Sequence, residues 1–494
     1  MCDALDEAVK KLFGLPYLFP YQRLVITNIL EAVQGNENEN TDRETAGRQI
    51  VILPTGAGKS LCFQLPAMMV PGLTLVIYPI LSLMADQQRR LYERGFSPVT
   101  IRGEQTKEER GEIWRKLESG EAKFIIANPE VLLTAQVKEK LEKIKITHIV
   151  IDEAHCVSEW GESFRPAYLE IGSIIKSLNP PLVTAFTATA SAPVLEKIKK
   201  YIFSDTQAAQ IVGNPDRPNI YYSARGCINR DLAVRDLLIK NRRPAIVFCS
   251  SRPGTEKLAR YLRNELEETG YNWHKEIRFY HAGLSREEKT AAENWFLKNT
   301  EAVLISTCAF GMGVDKADIR TVIHRDCAPS VEAYLQESGR AGRDGGQSKA
   351  FLLWGPDDEA VLARYGSGEL TPRKEAERGR ITALLNYAKD TGNCRRHSLL
   401  KMLNYDSGGE VPEGICCDVC EKEADDIMRE EPSVLNFFKK NKRRFTRNEA
   451  AAVLAHNKTF RWSQEEASQT LSYLIKTGKL KVSGGLFWKN KLTI

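Results

Sequence analysis

Apolar residues in the first two-thirds of this chain come in short, nearly unbroken runs separated by longer stretches of helical periodicity. QIVILP (49–54), LTLVIYP (73–79), KFIIANP (123–129), HIVIDE (148–153) and LVTAFTAT (182–189) are the first set. A strand with one wet face alternates apolar and polar residues, so unbroken runs predict parallel strands buried on both faces. The helical stretches between them serve as crossovers, which predicts a doubly wound α/β sheet. The pattern then restarts with PAIVFCS (244–250), IRFYHAG (277–283), AVLISTC (302–308), TVIHRD (321–326) and KAFLLW (349–354). A second parallel sheet is expected, joined to the first near NPDRPNIYY (214–222), whose prolines and Asp read as a linker. Two such domains in tandem leave a cleft, a natural place for a ligand.

After Gly355 the strand pattern stops. Residues 356–405 read as helical, and an acidic connector, EKEADDIMREEP, covers 421–432. Apolar periodicity returns in SVLNFFKKN, NEAAAVLAHN and QEEASQTLSYLIKTG. The chain closes on KLKVSGGLFWKNKLTI, two short strands around Ser-Gly-Gly, a hairpin signal. Helices followed by a basic hairpin predict a winged-helix-like module, with a generic small α+β domain as the alternative. The expected domains are 1–210, 211–355, 356–425 and 433–494. The polar insertion GNENENTDRETAGR (35–48) is too poor in apolar residues to pack and reads as a disordered loop.

Composition adds two constraints. With 42% hydrophobic and 27% charged residues the chain is ordinary for a soluble globular protein, and no apolar run could span a bilayer. The N-terminus MCDALDEAVKKLFG lacks a signal-peptide core, so an intracellular protein is expected, in the cytoplasm or nucleoid if the source is bacterial. Its 11 cysteines are then expected as thiols or metal ligands. Charge is uneven: residues 433–494 hold 13 Lys and Arg against three Glu, a net +10, which leaves −4 on the rest of a chain whose total is +6. A basic block on a mildly acidic body points to nucleic acid, although a solvated lysine-rich surface would show the same count.

The candidate chemistry follows the strands. PTGAGKS (54–60) sits after the first strand and opens a helix, the context in which a glycine-rich loop cradles phosphate. Thr55, Gly56 and Gly58 shape the loop, Lys59 is expected on the β/γ-phosphates of ATP, and Ser60 on Mg²⁺. The stricter form of the motif wants glycine where this chain has Leu53. VIDEAH (150–155) ends a later strand: Asp152 is expected to hold Mg²⁺, Glu153 to orient the attacking water, and His155 to couple hydrolysis to motion. QESGRAGRDG (336–345) supplies Gln336, Arg340 and Arg343, and a guanidinium fork suits bidentate phosphate contact, with Arg343 the expected finger.

Taken in order, PTGAGKS, YPILSLMADQ, ANPEVLL, DEAHCVSEWGESFRP, AFTATA, DRPNI, IVFCSSR, YHAGLSREE, STCAFGMGVDK and QESGRAGRDG resemble the RecQ branch of superfamily 2 helicases. The resemblance is dense over residues 10–355 and continues from CRRHSLL to about 425. It implies two RecA-like domains, a zinc-binding helical domain and a winged helix. It also implies ATP-dependent 3′-to-5′ unwinding of DNA in repair, recombination or replication, by a monomer that meets single-stranded-DNA-binding or repair proteins. Trp160, Phe164 and Arg165 fall where the family places its DNA-sensing aromatic loop, and such faces stack on bases for roughly 1–3 kcal/mol each. Relatives carry His-Asp where this chain has Glu162 and Ser163. Gln22 stands at the family's adenine-reading glutamine, but the usual Tyr and Arg nearby are Leu15 and Phe19, so Tyr17 or Phe19 is expected to stack instead. An RNA helicase on the same fold, or a DNA-binding scaffold with a vestigial ATPase, are the rival readings.

Cys394, Cys416, Cys417 and Cys420 put four thiols within 27 residues, a donor set that suits tetrahedral Zn²⁺. The resemblance implies three of them through CRR and CDVC. The fourth ligand is open between Cys416, adjacent to Cys417, and His397. By position the site would brace the join between the motor and its basic tail. A redox pair at Cys417–Cys420 lacks the βαβ context such a motif needs.

Overall fold

The computed structural model describes residues 4–15, 17–35, 47–54, 57–159, 165–188, 191–308, 310, 316–363, 371–403, 405, 416–424, 428–457, 460, 462, 464–484 and 488–494. The chain divides into two compact units, Met1–Asp216 with Met402–Asp406, and Arg217–Lys401 with Ser407–Ile494. The insertion read as a loop lies mostly outside the described residues.

The first unit is built on seven strands: β1 (Arg48–Ile52), β2 (Leu73–Ile77), β3 (Val99–Ile101), β4 (Phe124–Ala127), β5 (Ile146–Ile151), β6 (Leu182–Thr187) and β7 (Ala209–Val212). They pair in parallel in the order β3-β4-β2-β5-β6-β1-β7. Successive residues of the apolar runs sort to opposite faces, as a period of two requires. Ile50, Leu75, Ile125 and Ile149 enter one core, while Val51, Val76, Ile126 and Val150 enter the other. That is why the runs do not alternate. Two edge strands escaped the sequence reading: β3 has three residues, and β7 is largely exposed outside Ile211.

The second unit holds β8 (Ile220–Gly226), β9 (Ala245–Phe248), β10 (Ile277–Tyr280), β11 (Val303–Ser306), β12 (Thr321–His324) and β13 (Ser348–Trp354), all parallel, in the order β10-β11-β9-β12-β13-β8. The segment read as a linker is a linker only in part. From Ile220 onward it is β8, an edge strand that pairs with β13 over seven residues. Its Tyr-Tyr-Ser composition concealed it, because a strand is not required to be aliphatic.

The basic tail folds on its own apolar cluster. Helices Glu431–Lys440, Arg447–Ala455 and Gln464–Lys476 contribute Val434, Phe438, Leu454 and Leu471, and Leu480 and Leu492 close the cluster from the hairpin. Thr446 and Glu449 form a capping box that starts the middle helix. The hairpin exists as β14 (Lys481–Val482) and β15 (Leu492–Thr493), antiparallel, but its connection runs from Ser483 to Lys491 rather than turning tightly at Ser-Gly-Gly. No described helix is long and apolar enough to cross a membrane.

Candidate nucleotide site and metal centre

In the first unit the glycine-rich loop leads from β1 into helix Lys59–Met69. Gly58 is its N-cap with φ +75° and no side-chain cap, so the first N–H groups of the helix are not satisfied by a capping side chain. Such an end favours anions. A Cβ on Gly58 would lie 2.5 Å from Gln22 Nε2, which donates to the Ala57 carbonyl at 3.0 Å. Gln22 therefore holds the loop directly, and its Oε1 accepts the Phe19 N–H at 3.0 Å. Leu53, where a stricter motif has glycine, is buried and packs over Gly213. Thr55 and Gly56 lie outside the described residues. Ser60 is half-buried at the head of the helix.

Beside this loop the sheet delivers the acidic pair. Lys59 Nζ is buried, makes no hydrogen bond among the described residues, and sits 3.8 Å from Glu153 Oε1. Asp152 is 7% exposed at the end of β5 and accepts the Glu153 N–H at 2.9 Å. Burial, and then the adjacent Glu153 carboxylate, push the Asp152 carboxyl up to about 6. Glu153 has φ +50°, a left-handed backbone uncommon for a residue with a side chain, and such strain gathers at functional sites. His155 is buried with Nδ1 3.1 Å from Thr187 Oγ1 and 3.4 Å from Glu153 Oε2. Thr187 ends β6, and nothing in local spacing singled it out. Trp160 and Phe164 lie outside the described residues. Arg165 pairs with Glu130 at 2.8 Å.

In the second unit, helix Val331–Ser338 carries the start of the arginine motif on its last turn. Gln336 is half-buried on its last turn, Arg340 is 5% exposed, and Arg343 is more accessible on the following turn. The two arginines thus belong to a turn after the helix. Gly342 lies within that turn at φ +54°, and a Cβ there would come within 2.4 Å of the Gly346 carbonyl. Only glycine fits that approach.

The four cysteine sulfurs of Cys394, Cys416, Cys417 and Cys420 all lie within 4.8 Å of one another. Cys394 Sγ is 3.4 Å from Cys416 Sγ and 3.9 Å from Cys417 Sγ. Sulfurs at ~2.3 Å from a tetrahedral zinc stand about 3.8 Å apart, so the quartet fits a metal and is far from disulfide contact. Neighbouring thiols, then the N–H groups of Cys420 and Arg395, hold the Cys417 thiol well below its ordinary value. His397 is exposed and is not in the group. Cys416 is the fourth sulfur.

The quartet is tied to the edge of the second sheet. Cys417 forms a parallel bridge with Tyr222 of β8; the Tyr222 N–H donates to the Cys416 carbonyl at 3.3 Å, and the Asp418 N–H to the Tyr222 carbonyl at 3.1 Å. Asp418, 2% exposed, accepts Arg395 Nε at 2.9 Å and the Ala224 N–H at 2.8 Å. The described contacts therefore set the cysteines against β8, at the edge of the second sheet.

The family models for "DEAD/DEAH box helicase" and "Helicase conserved C-terminal domain" match residues 19–198 and 229–345. An "ATP-dependent DNA helicase RecQ" of Bacillus subtilis is 30% identical over 483 residues, covering 92% of this chain and 79% of its own length. The chain belongs to the RecQ family. The RecQ helicase of Pasteurella multocida is 34% identical over 80% of this chain and 62% of its own, and that of Haemophilus influenzae is 34% identical over 75% and 58%. The chain thus spans about 60% of the length of these two RecQ relatives. Among solved structures, the helicase MrfA bound to DNA superposes with TM-score 0.57 at 19% identity, covering 78% of this chain and 57% of that one. Mss116p bound to single-stranded RNA and AMP-PNP superposes at 0.56 with 15% identity, covering 96% and 92%. At those identities the likeness establishes the fold, two RecA-like sheets.

Within this RecQ chain Tyr17, Phe19 and Tyr21 form a run of ring contacts just before Gln22. Tyr17 and Phe19 are 58% and 46% exposed, their rings meet edge to face at 5.5 Å, and Phe19 stacks on Tyr21 at 5.6 Å. Exposed aromatic faces therefore stand in the same short segment as Gln22. Asp418, Arg395 and Thr187 were the residues sequence reasoning passed over, because each acquires its role only from a partner distant in the chain.

Proposed function

We propose that this RecQ chain hydrolyses ATP to translocate 3′-to-5′ on single-stranded DNA and unwind duplex. The observation that carries the reading is Lys59: a buried ammonium without a hydrogen bond among the described residues, 3.8 Å from Glu153, at a helix N-terminus without a side-chain cap. A buried cation so placed is built to meet an anion. Gln22, Gly58 and Lys59, with Thr55 and Gly56, hold the nucleotide. Ser60 and Asp152 are a hydroxyl and carboxylate pair that fits Mg²⁺, whose charge would keep Asp152 ionised against the burial that raises it. Bound there, magnesium would supply positive charge to the phosphates; Glu153, steered by His155, orients the attacking water. Gln336, Arg340 and Arg343 are the phosphate-sensing group of the second unit. Trp160, Phe164 and Arg165 stack on DNA, the basic tail is a winged helix gripping the duplex, and the cysteine quartet holds zinc.

Lys59→Ala is expected to abolish DNA-stimulated hydrolysis while leaving DNA affinity within about threefold. Strand displacement on 3′-tailed against 5′-tailed duplexes tests polarity. Hydrolysis stimulated by RNA and not by DNA would overturn the substrate, and unwinding by Lys59→Ala would overturn the motor.

A further inference from the structure

The turn that carries Arg340 and Arg343 is gripped by two side chains to which the chemistry above gives no role. Arg217 Nη1 donates to the Gly339 carbonyl at 2.8 Å, and its Nη2 to the carbonyls of Ala341 and Gly342 at 2.8 and 2.9 Å. Asn219 Nδ2 donates to the Gly342 carbonyl at 2.8 Å and to that of Gly346 at 2.9 Å. Carbonyls on both sides of each arginine are therefore bonded to a planar fork or a planar amide, both rigid donors. The close approach depends on Gly342, since a Cβ there would lie 2.5 Å from Asn219 Nδ2.

The clamp is itself braced. Arg396, 2% exposed and two residues beyond Cys394, donates from Nη2 to the carbonyls of Pro218 at 2.9 Å and Ile220 at 3.3 Å, on either side of Asn219. From the helix before the turn, buried Glu337 bonds His324 of β12 at 2.8 Å. A turn without regular structure is thus held at its carbonyls on both sides of the two arginines.

We infer that Arg217 and Asn219 are positioning residues for Arg340 and Arg343, with Arg396 bracing them from the cysteine segment. The inference rests on reading Arg340 and Arg343 as phosphate-contacting. A guanidinium displaced by about 1 Å loses most of its effect on a transition state, on the order of 100-fold.

The test uses the full chain with Asn219→Asp, which keeps the shape and replaces both donors by acceptors, and Arg217→Lys, which keeps the charge and loses the fork. In both, kcat for DNA-stimulated ATP hydrolysis is expected to fall at least about tenfold, with KM for ATP and affinity for a single-stranded oligonucleotide within about twofold. Amide exchange in nucleotide-free protein is expected to speed up across 339–346 and to stay unchanged in β9 and β12. The preference for ADP–beryllium fluoride over ADP is expected to shrink in step. Unchanged exchange at 339–346, or an unchanged kcat where Arg343→Ala abolishes turnover, would overturn the clamp. If Arg343→Ala retains full turnover, the phosphate reading fails instead, and exchange at 339–346 still decides whether the clamp exists. Should Asn219→Asp fail to fold, Arg217→Lys carries the same comparisons.

Discussion

Asp418→Ala removes the residue that fastens the cysteine segment to the second sheet. Asp418 and Arg395 are 2% and 1% exposed and meet at 2.9 Å. Breaking a buried pair from one side costs about 3–5 kcal/mol, because the remaining charge keeps its desolvation penalty without its counterion. Arg395 would retain the Tyr387 and Ala388 carbonyls, which supply dipoles and no charge. The Ala224 N–H would also lose its acceptor, roughly a further 1–3 kcal/mol if no water replaces it. These losses overlap, since water entering one gap reaches the other, so about 4 kcal/mol is the expected total. For a unit of this size that is roughly a 10 °C drop in the transition. Urea and thermal melts give the stability, and metal release to a chromogenic chelator gives the local effect, expected to be faster in the variant. Asp418→Asn, which keeps the shape and one acceptor, should fall between. Replacing both partners with apolar residues, Arg395→Met with Asp418→Leu, should recover part of the loss. A variant within about 1 kcal/mol of the parent, with unchanged metal release, would refute the idea that this pair holds the segment.

Other consequences can be measured in parallel. His148 is 3% exposed, bonded to Thr184 at 2.9 Å, and burial lowers its pKa to about 3. Between that value and the unfolded value near 6.5 the unfolded chain binds the extra proton, so His148 contributes its full stability above about pH 6.5 and loses it as pH falls. About 2 kcal/mol should disappear between pH 7 and 5, and His148→Gln should flatten that slope in urea titrations. Gly342→Ala forces φ +54° on a residue with a side chain and drives its Cβ to 2.4 Å from a carbonyl oxygen. It should cost more than about 2 kcal/mol and depress kcat more strongly than DNA affinity. Purified protein should hold one zinc; Cys416→Ser should lose it and His397→Ala should keep it, as read by metal analysis.

Much of this protein is legible in its sequence because burial leaves a local signature. Runs such as LTLVIYP report strands covered on both faces, and PTGAGKS and VIDEAH fall at strand ends, so the sheet type, the place of the candidate chemistry and three of the four cysteines can be read without coordinates. Pairing leaves no such mark. Apolar periodicity says that β1 is buried, not that it lies between β6 and β7, and it misses edge strands whose residues face solvent. The same limit explains the site residues that were passed over. Arg217 meets Gly342, Asn219 meets Gly346, and Asp418 meets Arg395 and Ala224 across tens to hundreds of residues. A polar side chain's local sequence is the same whether it ends in water or on a distant carbonyl. Cys416 and His397 divide in the same way: spacing allowed either, and the chain's pairing with β8 brings the Cys416 sulfur into the quartet while leaving the imidazole exposed.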